Sequence, residues 1–309
     1  MTNEIIRAIE QKVGIPGLAG LLAERLSGSE LNSLLLEVFS ERLKDTPPEV
    51  LLKQYQANRF VQPAETDMVR MLHLELRTLE FLQERAFQPI ELSPVAQLGS
   101  CSIVGTVSQN KIISATRNTE ILADATNSLA LHIAGLKKSA GNKEEILRFC
   151  TMHRHLRTQQ LKEKGHTSHF KIGCMVTAGR DSGDYRFEAT HLSEHLRTLD
   201  DLLRGMFGIK RVRIKLKRRD GYSNPERLLL VITESLKKEQ RTLDITIEEP
   251  ASTNNYYKGI QFKVNIELKG RELEIADGGF VDWTQKLLGN NKERLLISGF
   301  SVSRLDKSE

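Results

Sequence analysis

Apolar residues recur at helical spacing through the first sixty positions, in Ile5, Ile6, Ala8 and Ile9, in Leu18, Leu21, Leu22 and Leu26, and in Leu31, Leu34, Leu35, Val38 and Phe39. Gly14, Pro16, Gly28 and the Pro47-Pro48 pair interrupt these runs, so the pattern predicts a helical region of short helices over residues 1–63. Its residues suggest no chemistry, and packing or contact with a partner is the role expected of them. Tyr55 to Pro63 reads as a connection. A longer helix is expected from about Ala64 to Glu84, with Met68, Met71, Leu72, Leu76, Leu79 and Leu82 as a stripe for a core or an interface.

Beyond Phe87 the period changes. Ile260, Phe262, Val264, Ile266 and Leu268 alternate with Gln261, Lys263, Asn265 and Glu267, the signature of a half-buried strand. Strands are predicted near Ile112, Phe149, Phe170, Val212, Ile245, Ile260, Leu273 and Leu295, and Pro89 and Pro94 suit an edge strand. Helices are predicted from Leu192 to Phe207, on the series Leu192, Leu196, Leu199, Leu203 and Met206, and from Pro225 to Lys238. The fold class expected is α+β: an antiparallel sheet of six or so strands flanked by helices over residues 64–309, after the helical region 1–63.

With 39% hydrophobic and 28% charged residues in 309, the composition is that of a folded domain rather than a disordered chain. No apolar run reaches the length of a membrane span, and Met1-Thr2-Asn3-Glu4 lacks the basic start of a signal peptide, so a cytoplasmic location away from membranes is expected. Cys101, Cys150 and Cys174 are odd in number and form no Cys-x-x-Cys pair, which argues against a disulfide framework or a cysteine zinc site. The net charge of +5 is compatible with a nucleotide or nucleic-acid ligand without requiring one. Its densest part is the run Lys210 to Arg219, where Arg211, Arg213, Lys215 and Lys217 share one face of a strand. A solvated face that guards against aggregation explains this row; RNA or phosphate contact is the alternative, without aromatic residues there for base stacking. His153, His155, His166 and His169 flank a basic loop without a carboxylate at ligand spacing, so a hairpin is expected rather than a metal site.

Several short motifs stand in a fixed order: Phe149-Cys150-Thr151-Met152-His153-Arg154-His155-Leu156, Tyr256-Tyr257-Lys258-Gly259, Gly278-Gly279 to Asp282, and Gly299 to Arg304-Leu305. Together they resemble the catalytic core of class II aminoacyl-tRNA synthetases, most closely the histidyl type, over about Thr66 to Leu305. The long helix leading to Pro94 resembles motif 1 of that family, which pairs across a dimer axis, so the resemblance implies a homodimer. It places Arg154 and Arg304 on the phosphates of ATP, with or without magnesium, as the catalytic and cofactor-binding residues. It places Asp124 and Thr126 on a substrate ammonium group, and Tyr256, Tyr257, Gly278 and Gly279 in the substrate pocket. Read from the residues alone, Asp124 could equally cap the helix that follows. No anticodon-binding domain is expected after Leu305.

The chain departs from the family pattern at Leu156, where motif 2 has a glutamate, at Ser252, where the activating arginine stands, at Ile172 and at Ser303. Each replaces a polar contact that a buried polar substrate would need. Two functions follow: a paralogue that binds a nucleotide or other small ligand in a regulatory, non-charging role, or a ligase that activates an amino acid or other carboxylate as an adenylate. RNA is a compatible partner but not a required one. Glu188, Asp277 and Asp282 are the acids that could instead neutralise Arg154 and Arg304.

Overall fold

The computed structural model describes residues 2–140, 145–159, 168–237, 243–249, 256–268 and 270–305. Met1, His166, Lys238 and Ser252, named above, lie outside them. The chain opens with the helices α1 (Thr2–Val13), α2 (Leu18–Arg25), α3 (Gly28–Leu43) and α4 (Pro48–Ala57). A capping box starts α3: Glu30 N donates to Ser27 Oγ at 3.3 Å and Ser27 N to Glu30 Oε2 at 2.7 Å. Pro48 opens α4, where its missing N–H costs nothing. No residue of α2, α3 or α4 is buried. Asp67 caps α5 (Met68–Gln83) by accepting from Arg70 N at 3.0 Å. Met71 and Leu82 on this helix are buried, while Met68, Leu72 and Leu76 are exposed.

The main sheet contains β1 (Gln88–Pro89), β5 (Leu147–Leu156), β6 (His169–Arg180), β7 (Val212–Arg218), β8 (Ile245–Glu248), β9 (Lys258–Leu268), β10 (Arg271–Val281) and β11 (Glu293–Ser301), in the order β1-β5-β6-β11-β10-β9-β7-β8. The six strands from β5 to β7 are antiparallel. The expected antiparallel sheet is therefore present, and a parallel strand extends it at each edge, β1 beside β5 and β8 beside β7. No strand forms at Ile112. That residue ends a short turn, Gln109–Lys111, and the chain next pairs in a small sheet of β2 (Val95–Gln97), β4 (Thr119–Ile121) and β3 (Ser114–Ala115). The buried Glu120 carboxylate holds this region by accepting from Gly99 N, Cys101 N and Gln109 Nε2, each at 2.9 Å.

One face of the main sheet buries Cys150, Met175, Phe262, Val264, Phe280 and Leu296 against α5, α7 (Arg186–Asp201) and α8 (Pro225–Lys237). His195 of α7 lies wholly inside, with Nδ1 at 2.6 Å from Ser298 Oγ and Nε2 at 2.8 Å from Thr177 Oγ1. Burial holds its pKa down to about 3. The other face packs Phe149, Val176, Leu295 and Ile297 beneath α6 (Ala125–Ala140) and α9 (Trp283–Leu288). Lys137 of α6 makes a buried ion pair with Glu293 and donates to Gly179 O at 3.3 Å. A last short helix, α10 (Val302–Leu305), follows β11. No helix among the described residues is long and apolar enough to cross a membrane.

Candidate functional site

Helix α6 begins at Ala125 because Asp124 accepts from Thr126 N at 3.0 Å and from Thr126 Oγ1 at 2.7 Å. The capping reading of Asp124 is thus realised, and it uses only Oδ1. Oδ2 accepts from Tyr256 OH at 2.7 Å. Tyr256 lies edge-on to Trp283, with ring centroids 5.2 Å apart, and to Tyr257, at 4.8 Å. Tyr257 OH donates in turn to Asp277 Oδ2 at 3.0 Å. Two carboxylates, each fastened by a tyrosine, therefore share the sheet face that carries α6. Burial raises the Asp277 carboxyl above its ordinary pKa, and the Tyr257 hydrogen bond only partly opposes it.

Gly278 and Gly279 lie near the end of β10, paired with β9 on one side and β11 on the other. A Cβ on Gly279 would stand 2.5 Å from Ile260 O and 2.8 Å from the Tyr257 ring, so only glycine lets that ring settle beside Asp277. A Cβ on Gly278 would stand 2.4 Å from the buried Phe262 ring on the other face. Gly279→Ala should lower the unfolding free energy by about 1–3 kcal/mol, read by urea denaturation. A neutral result would show that the strands yield more easily than this packing implies.

The two arginines do not converge on this cluster. Along β5, Phe149, Thr151, His153 and His155 face α6, and the intervening Cys150, Met152 and Arg154 face the core side. Arg154 NH1 lies 3.0 Å from His169 Nδ1, and His169 Nε2 lies 2.7 Å from Gln62 O. A guanidinium only donates, so Nδ1 accepts and Nε2–H is the donor to the Gln62 carbonyl. Arg154 thereby fixes the connection after α4 to the β5–β6 hairpin. Arg304 is exposed on α10 and donates to Glu274 O at 2.9 Å. Of the acids considered as neutralising partners, Glu188 holds Arg294 Nε at 2.7 Å and Tyr222 OH at 2.9 Å, and Asp282 faces Lys286 at 3.0 Å and Lys258 at 3.8 Å.

The guanidinium that does face the cluster is Arg157, which donates from Nε to Ala123 O at 3.1 Å and lies 5.5 Å from the Phe170 ring centroid. Beside it His155 Nε2 accepts from Ala125 N at 3.2 Å, and burial holds its pKa down to about 3. Cys174, wholly buried beneath the two carboxylates, has its thiol pKa raised by burial and then by Asp124. Farther along this face the cation row is paired across strands: Arg211 with Glu267 at 2.7 Å, Lys215 with Glu272 at 3.0 Å, Lys217 with Glu248 at 3.5 Å and Lys263 with Glu274 at 2.7 Å. Arg219 Nε donates to Gln261 Oε1 at 3.0 Å.

No family model matches the sequence, and no curated protein does. Solved structures do. The apo histidyl-tRNA synthetase of S. aureus superposes with a TM-score of 0.58 at 12% identity, over 79% of this chain and 67% of that one. An ATP phosphoribosyltransferase regulatory subunit/histidyl-tRNA synthetase from Bacillus halodurans C gives 0.60 at 10% identity, over 80% and 81%. A histidine–tRNA ligase subunit from Alicyclobacillus acidocaldarius gives 0.59 at 15% identity, over 85% and 96%. The resemblance read from the motifs is thus a resemblance of fold: this chain has the fold of the class II aminoacyl-tRNA synthetase core.

Proposed function

We propose that the chain is a synthetase-fold paralogue that holds a small molecule bearing an ammonium group between Asp124 and Asp277, in a regulatory, non-charging role. The observation that carries this reading is the pair of tyrosine-fastened carboxylates on one sheet face. A buried carboxyl whose ionised form is disfavoured gains from a cation brought beside it, and a primary amine supplies that charge with three donors. Thr126, Tyr256, Tyr257 and Gly279 shape the place around the two acids. Calorimetry across the amino acids and simple amines should find a ligand that Asp124→Asn and Asp277→Asn each weaken tenfold or more. Absence of heat with any of them at millimolar concentration, or equal binding by wild type and variants, would remove the proposal.

Adenylate formation is the second reading, and Arg157 on the cluster face favours it. Of the other cations on that face, Arg211, Lys215, Lys217 and Lys263 are paired with carboxylates and Arg219 with the Gln261 amide, and Arg154 points away. A triphosphate on this row would compete with the acids already paired to Arg211, Lys215, Lys217 and Lys263, and the chemistry proposed here stops at binding. Amino-acid-dependent exchange of labelled pyrophosphate into ATP should stay at background.

A homodimer belongs to the same proposal, supported by the exposed α5 stripe of Met68, Val69, Leu72 and Leu76. Leu76→Glu should give a monomer by light scattering at micromolar concentration with an unchanged circular dichroism spectrum. Leu79 packs partly against the chain's own core, so Leu79→Glu should unfold the protein instead. A wild-type monomer would count against the dimer.

A further inference from the structure

We propose that the arm formed by α3 and α4 of one copy packs over the α5 stripe of a second copy, so that two arms are exchanged across a dimer axis. This rests on the homodimer proposed from α5 and names the surface that the second copy supplies. The arm is fastened to its own chain at both ends. At the start of α3, Asn32 Oδ1 accepts from Arg117 N at 2.7 Å and Asn32 Nδ2 donates to Asn118 Oδ1 at 3.1 Å. Arg117 and Asn118 have φ of 63° and 55°, a left-handed pair in the turn between β3 and β4. After α4, Arg59 donates to Ser168 Oγ and to Thr158 O, each at 2.7 Å. The arm is thus braced in place, which lowers the ordering entropy that docking would cost.

Along α3, Leu34, Leu35, Leu36, Val38, Phe39 and Leu43 are all exposed. At about 100° per residue they spread over more than half of the helix circumference, and Glu30, Glu37, Ser40 and Glu41 share the remaining arc. A helix apolar on most sides belongs inside a protein. Helix α4 adds Leu51, Leu52 and Tyr55. The apolar side chains of the two helices together expose on the order of 800 Å², the share that one partner brings to a standard interface. The same chain carries a surface to receive them: Met68, Val69, Leu72 and Leu76 of α5, which its own arm leaves exposed. The acids Glu37, Glu41, Asp45 and Glu49 outnumber the bases Arg42, Lys44 and Lys53 on the arm, whereas Arg70, His73 and Arg77 flank the α5 stripe with Glu80 as the acid among them. The balance of charge is therefore opposite on the two surfaces, and no like-charge repulsion opposes their contact. A two-fold axis makes that contact twice.

The test combines thiol cross-linking with sedimentation of the full chain. Cys101, Cys150 and Cys174 are buried, so thiols introduced on the surface react first. Phe39→Cys and Leu72→Cys proteins, mixed, equilibrated and treated with a short bismaleimide, should give a covalent dimer at several times the yield of either protein alone. Phe39→Glu and Leu51→Glu, both at exposed positions, should each weaken the dimer tenfold or more with an unchanged circular dichroism spectrum. Cross-linking in the mixture no better than in either protein alone, or a dimer unaffected by both glutamates while Leu76→Glu gives a monomer, would overturn the exchange of arms and leave the dimer itself standing. A monomeric wild type would overturn both.

Discussion

Lys137→Met should cost about 3–5 kcal/mol of unfolding free energy. The side chains of Lys137 and Glu293 are 2% and 3% exposed, and the ammonium also serves Gly179 O, so its removal strands a buried carboxylate whose other oxygen, Oε1, has Asn290 Nδ2 at 3.5 Å. The double variant Lys137→Met with Glu293→Met should recover most of the loss, because two apolar side chains of similar length leave no charge to desolvate. Urea denaturation of the four proteins completes the cycle. A single variant costing less than about 1 kcal/mol, or a double variant as unstable as the sum of the two, would show that water or another group reaches the pair. The ion pair also ties α6, and with it Asp124, to β11, so the single variant should also weaken the amine binding proposed for Asp124 and Asp277.

The second large effect is acid destabilisation. His155 and His195 are held neutral by burial, with pKa values pushed down to about 3, against about 6.5 in an unfolded chain. Above pH 6.5 neither binds a proton in either state, and their neutral burial is without penalty. As pH falls from 6.5 toward 3 the unfolded chain takes up both protons and the folded one neither, so stability falls by up to about 1.4 kcal/mol per pH unit for each histidine. Asp277 acts in the opposite sense, because its raised carboxyl binds a proton in the folded state first, and it offsets part of the loss at the acid end. Unfolding free energies at intervals from pH 7 to 4 should show the fall, and His195→Asn should show a shallower slope. A flat profile would mean that one or both rings reach solvent.

Much of the architecture was legible in residue periodicity. Alternation in Ile260 to Leu268 became β9, and the leucine series from Leu192 to Leu203 became α7 and the π-helical turn Leu202–Met206 that continues it, because a half-buried strand and a helix over a sheet must each present one apolar face. The segment around Ile112 was not legible, since a buried carboxylate, Glu120, gathers its neighbours from distant positions and no local pattern announces that. In the candidate site, the motifs named Asp124, Tyr256 and Tyr257, which the fold brings into contact. Arg154 lies apart from them because it has the parity of Cys150 and Met152, whereas Arg157 continues the parity of Phe149 and His155. Alternation carried one residue past the end of β5 reaches Arg157, whereas motif spacing points to Arg154, three residues earlier.

The four opening helices, three of which bury no residue, give this chain two clocks. Amide exchange in a segment is governed by the free energy of its local opening, which rises with the apolar contact that opening must break. Amides in the second half of α3, whose residues from Ser33 onward are exposed, should exchange within seconds to minutes in the isolated monomer, and those of β6 and β11 only on the scale of global unfolding. A cover laid over Leu36 or Phe39 by any binding molecule would slow the fast clock and leave the slow one unchanged, so exchange rates over residues 28–43 report such an encounter even when its partner has no name.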